Sequence, residues 1–244
     1  MSAENELWDS TPAPQGTFDP KNFGEAPPSA QKYLSHAIRT GTPMASAVRV
    51  QMTGQIRIGR WMPFTATQVV RLGQGFNWAA VAHSPVGSIS GFDQLFEGKG
   101  QMQWKLFGFI PVMVAKGPDI TRSAGGRMAC ESILLPTTLA EDDVTWSSTE
   151  AGHPVAHVQV GAEEFPLALT LGNSGRLESI MMPRWGNPEG GACAIQNFGG
   201  IIEKERTFGA FTIPSKVRMG WHFGTDRFST GEFFRCEITH AEFR

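Results

Sequence analysis

The stretch AVRVQMTGQIRIG at residues 47–59 marks the point where strand-like patterning begins. Its apolar residues Val48, Val50 and Met52 fall at every second position, and on an extended chain such positions share one face. The same period of two appears in the next two runs, PFTATQVVRL (63–72) and GFNWAAVAH (75–83). Three successive runs of this kind predict neighbouring antiparallel strands.

Further strand-like runs follow along most of the chain. They are GKGQMQWKLFG (98–108), IPVMVA (110–115), HPVAHVQV (153–160), EFPLALTLGNSGRLESIMM (164–182) and three more within 205–243. The total is about ten strands without strand–helix–strand alternation, which argues against a parallel α/β sheet. We therefore predict a mainly β (α+β) fold with one large curved antiparallel sheet, because so many strands curl into a half-barrel or barrel.

Two helices are predicted to pack against this sheet. The first lies in PPSAQKYLSHAIRTG (27–41), where prolines precede an apolar-periodic segment and a glycine ends it. The second ends in GRMACESILLPTTL (126–139). Residues 1–26 are rich in proline and polar residues and predict an extended N-terminal arm, which Trp8 and Phe18 could pin to the single β-cup domain of residues 27–244.

Composition and charge exclude several partners. The chain has 244 residues, a net charge of −2 and no basic stripe, so we expect no nucleic acid to bind. Its three cysteines have no paired spacing and are interpreted as buried thiols. The sequence contains no export signal and no apolar run that could span a bilayer, which predicts a soluble, cytoplasmic protein. Its oligomeric state stays open.

Glu131 is the most informative carboxylate. Helical spacing places it on the same stripe as four apolar residues: Ile120, Ala124, Met128 and Leu135. A carboxylate that points into a core is costly unless it is paired, hydrogen-bonded or protonated. Glu131 is therefore either the partner of a buried arginine (Arg57, Arg127 or Arg184) or the acid of a functional site.

Other candidates are weaker. Asp93, in GFDQLFEGKG (91–100), is more typical of a turn than of a site. His153 and His157 lie on a predicted strand, where their rings would stand about 13 Å apart, and no metal site is expected. The glycine-rich stretch 186–200 lacks a phosphate-loop signature and is interpreted as a loop at the rim, where it could cover a pocket.

Many aromatic residues on or near the predicted strands indicate an apolar cavity. Candidate binding residues are Trp61, Trp78, Trp104, Arg184, Trp185 and Trp221. Candidate acid–base residues are Glu131, Asp93, His222 and His83. The leading hypothesis is an enzyme of isomerase, lyase or hydrolase type that needs no cofactor and acts on a small apolar molecule. The alternative is a non-catalytic carrier of a lipid-like ligand.

An ordered set of motifs resembles a known bacterial family. The motifs are YLSHAIRTGTP, GQIRIGRWMPFTATQ, GFNWAAVAH, GFDQLFEGKGQM, GRMACESILLPTTL, FTIPSKVRMGW and EFFRCEIT. In this order they are similar to the uncharacterised family DUF6544, over about residues 28–243. The resemblance implies a curved antiparallel sheet like the cups of lipoprotein carriers or lipocalins, and it implies no activity.

Overall fold

The computed structural model describes residues 2–85 and 87–244. The strands are β1 (Ala47–Ile58), β2 (Arg60–Arg71), β3 (Gly75–Ser84), β4 (Gly87–Phe96), β5 (Lys99–Leu106), β6 (Ile110–Lys116), β7 (Thr145–Ser148), β8 (Pro154–Val160), β9 (Glu163–Leu171), β10 (Leu177–Gly186), β11 (Ala194–Phe208), β12 (Phe211–Trp221) and β13 (Glu232–Phe243). The helices are α1 (Ala3–Asp9), α2 (Pro28–Ala37), α3 (Pro118–Glu131) and α4 (Phe228–Gly231). Short 3₁₀ helices lie at Pro20–Phe23, Ser132–Leu134 and Pro136–Ala140.

All 13 strands form one sheet, in the order β6-β5-β4-β3-β2-β1-β13-β12-β11-β10-β9-β8-β7. Every pairing between neighbours is antiparallel, and the first strand pairs with the last, so that β1 and β13 lie at the centre. Strands β6 and β7 form the two edges and do not pair with each other. The sheet is therefore open, and of the two predicted shapes it is the half-barrel and not the closed barrel.

The mainly β fold with a single antiparallel sheet is confirmed, but the count of about ten strands is too low. The sequence prediction lacked β4 and β7. Strand β4 reads GSISGFDQLF, whose glycines, serines and aspartate are depleted in strands, and β7 has only four residues. Asp93 consequently lies inside β4 and not in a turn.

Helix α3 shows that the sheet is strongly curved. It contacts β4 and β5 near one edge of the sheet and β8, β9 and β10 near the other. One helix of 14 residues can touch both ends of a 13-stranded sheet only if the sheet curls around it. Close approach to β5 depends on Gly100, where a Cβ atom would lie 2.6 Å from the backbone oxygen of Ile120.

The N-terminal arm begins with helix α1, where an extended segment was predicted. The side chain of Ser2 caps this helix by accepting a hydrogen bond from the Asn5 N–H. Leu7 and Trp8 are buried against Ala47 and Val69. Because Val69 alternates with the inward-facing Val70, α1 covers the outer face of the sheet, opposite α3.

Candidate functional site

A cavity of about 390 Å³ lies between α3 and the concave face of the sheet. Its wall is mainly apolar, and it is partly open to solvent. The sheet contributes Met52, Ile56, Trp78, Val217, Phe234 and Ile238, and α3 contributes Ile120 and Ala124. Its volume is within the range of small-molecule sites in proteins.

Arg127 of α3 is the centre of a charged cluster in this wall. Its Nε donates a hydrogen bond to Glu131 Oε1 at 2.6 Å, and its Nη1 donates to Asp93 Oδ2 at 3.1 Å. The guanidinium also lies over the rings of Phe76 and Trp78. Burial alone would lower the pKa of Arg127, but the charges of Glu131 and Asp93 outweigh it and raise the pKa above its ordinary value.

Asp93 is held from two sides. Trp104 Nε1 donates to Asp93 Oδ1 at 2.9 Å, and Arg127 occupies the other oxygen. Burial raises the pKa of this carboxyl above its ordinary value, although Arg127 and Trp104 oppose the shift. Desolvation therefore dominates at Asp93, which is hydrogen-bonded to one cation and acted on by Arg184 from farther away, whereas attraction dominates at Arg127, which is hydrogen-bonded to two carboxylates.

Glu131 faces the cavity, and its partner is Arg127 among the three arginines considered from the sequence. The pair occurs at positions i and i+4 of α3. The second oxygen, Oε2, is buried and has no hydrogen-bond partner among the described residues. Glu131 is thus both an ion-pair partner and a group with unused capacity to accept a hydrogen bond.

Arg184, on β10, also lines the cavity, and its side chain packs against α3. Its guanidinium carbon is 4.5 Å from the centre of the Phe198 ring and 5.2 Å from that of Trp221. Its Nε donates to the backbone oxygen of Ser123 at 3.2 Å, and its Nη2 lies 3.4 Å from Ser123 Oγ. Within the described chain no carboxylate lies within 4.0 Å of it. Burial lowers the pKa of Arg184 to about 10, so that it is still charged at neutral pH.

The other candidate residues divide between the cavity and the surface. Trp78 and Trp221 line the cavity, and Trp104 packs against Trp78 with ring centres 5.6 Å apart. Like Trp104, the two other candidate tryptophans lie outside the lining: Trp61 stacks with Arg235, and Trp185 stacks with Arg122.

The two histidine candidates also lie outside the lining. His83 is exposed near the end of β3. His222 Nε2 lies 3.5 Å from Glu189 Oε1, in a pair near the glycine-rich loop. Neither imidazole therefore shares the cavity with Glu131 and Asp93.

Sequence reasoning did not assign several polar or sulfur-bearing residues to the cavity, among them Gln68, Cys130 and Cys236. Gln68 is buried, and its Nε2 has no acceptor among the described residues. Cys130 and Cys236 are buried in the wall, and burial raises the pKa of each thiol to about 12. The alternation along β2 and β13 already places Gln68 and Cys236 on the inward face, so that pattern was the available signal.

Sequence comparison assigns the chain to a family. The family of unknown function DUF6920 matches residues 25–243, which is most of the chain. The chain belongs to DUF6920. The resemblance to DUF6544 inferred from the motifs is therefore wrong, since each of those motifs is short and only their order carried the assignment. No curated protein sequence is similar to this chain.

Three solved structures are similar to this DUF6920 chain at a low level. A putative outer membrane lipoprotein-sorting protein domain from Vibrio parahaemolyticus has 9% identity and a TM-score of 0.45, over 93% of this chain and 94% of that one. A LolA superfamily protein from Nitrosomonas europaea has 11% identity and a TM-score of 0.45, over 88% and 92%. A DUF1329 family protein from Desulfovibrio piger has 9% identity and a TM-score of 0.42, over 89% and 93%. At this level of similarity, the function of those proteins does not transfer to this DUF6920 chain.

Two searches of residues 2–85 and 87–244 gave negative results. They contain no group of three or more His, Cys, Asp or Glu side chains placed to hold a metal ion. They also contain no helix with the length and hydropathy needed to cross a membrane. The groups of this chain's cavity that could contact a ligand include its apolar wall, two arginines, two carboxylates and a few polar atoms without a hydrogen-bond partner among the described residues.

Proposed function

We propose that this DUF6920 protein binds or carries a small lipid-like molecule, without catalysis, in the cavity between α3 and the sheet. One observation carries the proposal: the cavity is mainly apolar, and both of its carboxylates are paired with Arg127. An apolar wall favours an apolar ligand because burial releases its surface from water.

The same arrangement gives less support to the enzyme hypothesis. General acid–base chemistry needs a group that can exchange a proton with the substrate, commonly assisted by a second such group. Here Arg127 holds one oxygen of Asp93 and one of Glu131, and Trp104 holds the other oxygen of Asp93. Only Glu131 Oε2 remains free, and neither candidate histidine reaches the cavity.

Binding can be tested with Nile red, an uncharged dye whose fluorescence increases in apolar surroundings. The wild type should bind the dye. Ala124 lines the cavity, so the phenyl ring of Ala124→Phe would occupy part of the cavity and should weaken dye binding about tenfold or more. Ala151→Phe, in an exposed turn, is the control and should bind like the wild type. Equal binding by all three proteins would place the dye elsewhere and count against the proposal.

Native mass spectrometry separates the carrier from the enzyme. If the protein is a carrier, the same small molecule should co-purify with the wild type and with Glu131→Gln, because neither form consumes it. A molecule retained only by Glu131→Gln would mean that the wild type converts it, and the enzyme hypothesis would then replace the proposal.

A further inference from the structure

We propose that Arg184 binds the anionic head of an amphipathic ligand, a carboxylate or a phosphate monoester, whose apolar tail lies along the cavity. This inference rests on the proposed binding function and specifies the class of ligand. The observation behind it is a buried guanidinium in the cavity wall that has no carboxylate of the described chain within 4.0 Å, although Asp93 and Glu131 act on it from farther away.

Burial of the Arg184 charge without a bound ligand costs the folded protein free energy. The residue is only 8% exposed, and its acceptors are two oxygen atoms of Ser123, one at a distance of 3.4 Å. A guanidinium carries five N–H donors, so that several are left without an acceptor in the described structure. A buried charge is normally paired, and an anionic ligand would complete this site.

Arg127 does not offer the same site. Its positive charge faces two carboxylates at hydrogen-bond distance, so that the Arg127 cluster has a net negative charge when both acids are ionised. An incoming anion would be repelled there. Arg184 has no carboxylate within 4.0 Å in the described chain, so an anion can approach its guanidinium more closely than that of Arg127.

The aromatic rings around Arg184 favour a bound anion in a second way. Phe198 and Trp221 cover the guanidinium and restrict the water around it. A charge-assisted hydrogen bond is stronger in such a low-dielectric setting than in water. The rings also hold the planar group in place, so that less side-chain entropy is lost when a ligand binds.

Two neutral donors in the same cavity support a ligand that carries oxygen atoms. Gln68 Nε2 and Trp78 Nε1 are buried and have no acceptor among the described residues. Both residues line the cavity, and they are directly paired across β2 and β3. A plain hydrocarbon would leave these donors unsatisfied, whereas an oxygen-bearing ligand supplies acceptors.

The experiment compares ligands that share a tail and differ in the head. Isothermal titration at neutral pH would use dodecanoate, dodecyl phosphate and the uncharged dodecanol, with acetate and inorganic phosphate as heads without tails. The wild type should bind at least one of the two amphipathic anions about ten to a hundred times more tightly than dodecanol. The tighter of the two anions identifies the natural head group as carboxylate or phosphate.

Variants locate the effect. Arg184→Met should weaken binding of the anions about ten- to a hundredfold and change dodecanol binding much less, so that the preference for the anion is lost. Arg184→Lys should restore part of the preference because it keeps the charge. Arg122→Met is the matched control: it removes a positive charge from α3, but its side chain is exposed and pairs with Glu163. This control should bind all the probes like the wild type.

The possible failures are distinguishable. If dodecanol binds the wild type as tightly as both anions, or if Arg184→Met keeps the preference, the inference about Arg184 is overturned and the binding function stands. If acetate or phosphate alone binds as tightly as the long-chain anions, the site takes a bare anion and the amphipathic ligand is rejected. If no long-chain probe binds, both the inference and the proposed function fail.

Discussion

Arg127, on α3, and Arg184, on β10, line the same cavity and differ in how their charges are balanced. Each guanidinium packs against two aromatic rings. Arg127 has two hydrogen-bonded carboxylate partners, and its pKa is raised, whereas the hydrogen bonds of Arg184 within residues 2–85 and 87–244 go to Ser123 alone, and burial lowers its pKa to about 10. We interpret the first as part of the fold and the second as part of a binding site. Both arginines are largely buried, so burial alone does not distinguish a structural arginine from a ligand-binding one, whereas the hydrogen-bond partners of each arginine do.

Removal of Arg127 should have the largest effect on stability. Arg127→Met leaves the buried carboxylates Asp93 and Glu131 without their hydrogen-bonded cation, and breaking a buried pair in this way costs about 3–5 kcal/mol of unfolding free energy. Urea denaturation at neutral pH measures the loss. Arg122→Met, which removes an exposed pair with Glu163, is the control and should change the unfolding free energy by less than about 1 kcal/mol. A loss of similar size in both variants would remove the structural role assigned to Arg127.

Removal of Arg184 should have a much smaller effect on stability. Arg184→Met replaces a buried cation without a carboxylate by an apolar side chain that can pack against Phe198 and Trp221. Because such replacements are often neutral or stabilising, we expect an unfolding free energy equal to that of the wild type or up to about 1 kcal/mol higher. The same urea titration, without ligand, gives the value. A loss of 3 kcal/mol or more would mean that Arg184 also belongs to the fold, and the contrast with Arg127 would disappear.

The sequence predicted the sheet better than it predicted the site. Alternation in runs such as 75–83 depends only on neighbours along the chain, and Trp78 of this run, a candidate binding residue, is buried and lines the cavity. Helical spacing likewise placed Glu131 towards the interior. The sequence did not predict strand β4, because its glycines and serines have little local preference for a strand. This strand forms by pairing with β3 and β5.

The charge partners could not be predicted because they depend on contacts that are distant in sequence. Arg127 and Glu131 are four residues apart and were considered together, but Arg127 and Asp93 are 34 residues apart. Arg184 reaches Ser123 across 61 residues, and only the curvature of the sheet around α3 brings the two together. A list of arginines in the sequence therefore could not show which one lacks a carboxylate.

The pH dependence of stability should show the smallest of these effects, through Asp93. Burial raises the pKa of Asp93 in the folded state above its unfolded value, so that the proton binds the folded state more tightly. The stability contributed by this group is present below its unfolded pKa, near 3.9 for a typical aspartate, and is lost as pH rises through the folded pKa. Asp93→Asn cannot titrate and keeps an oxygen that can accept from Trp104.

Urea denaturation of the wild type and of Asp93→Asn from pH 4 to pH 7 measures this effect. The stability of the wild type relative to the variant should decrease as the pH rises across this range, by the sign of the Asp93 shift. Glu232→Gln is a control of opposite sign: burial alone would raise the pKa of Glu232, but hydrogen bonds from Arg218 and Arg235 outweigh it and lower the pKa. The stability of the wild type relative to Glu232→Gln should therefore decrease as the pH falls. A wild-type advantage over Asp93→Asn that increased with pH would show that Arg127 stabilises the charged form of Asp93 more than burial disfavours it, and the carboxylates of the cavity would then be fully compensated.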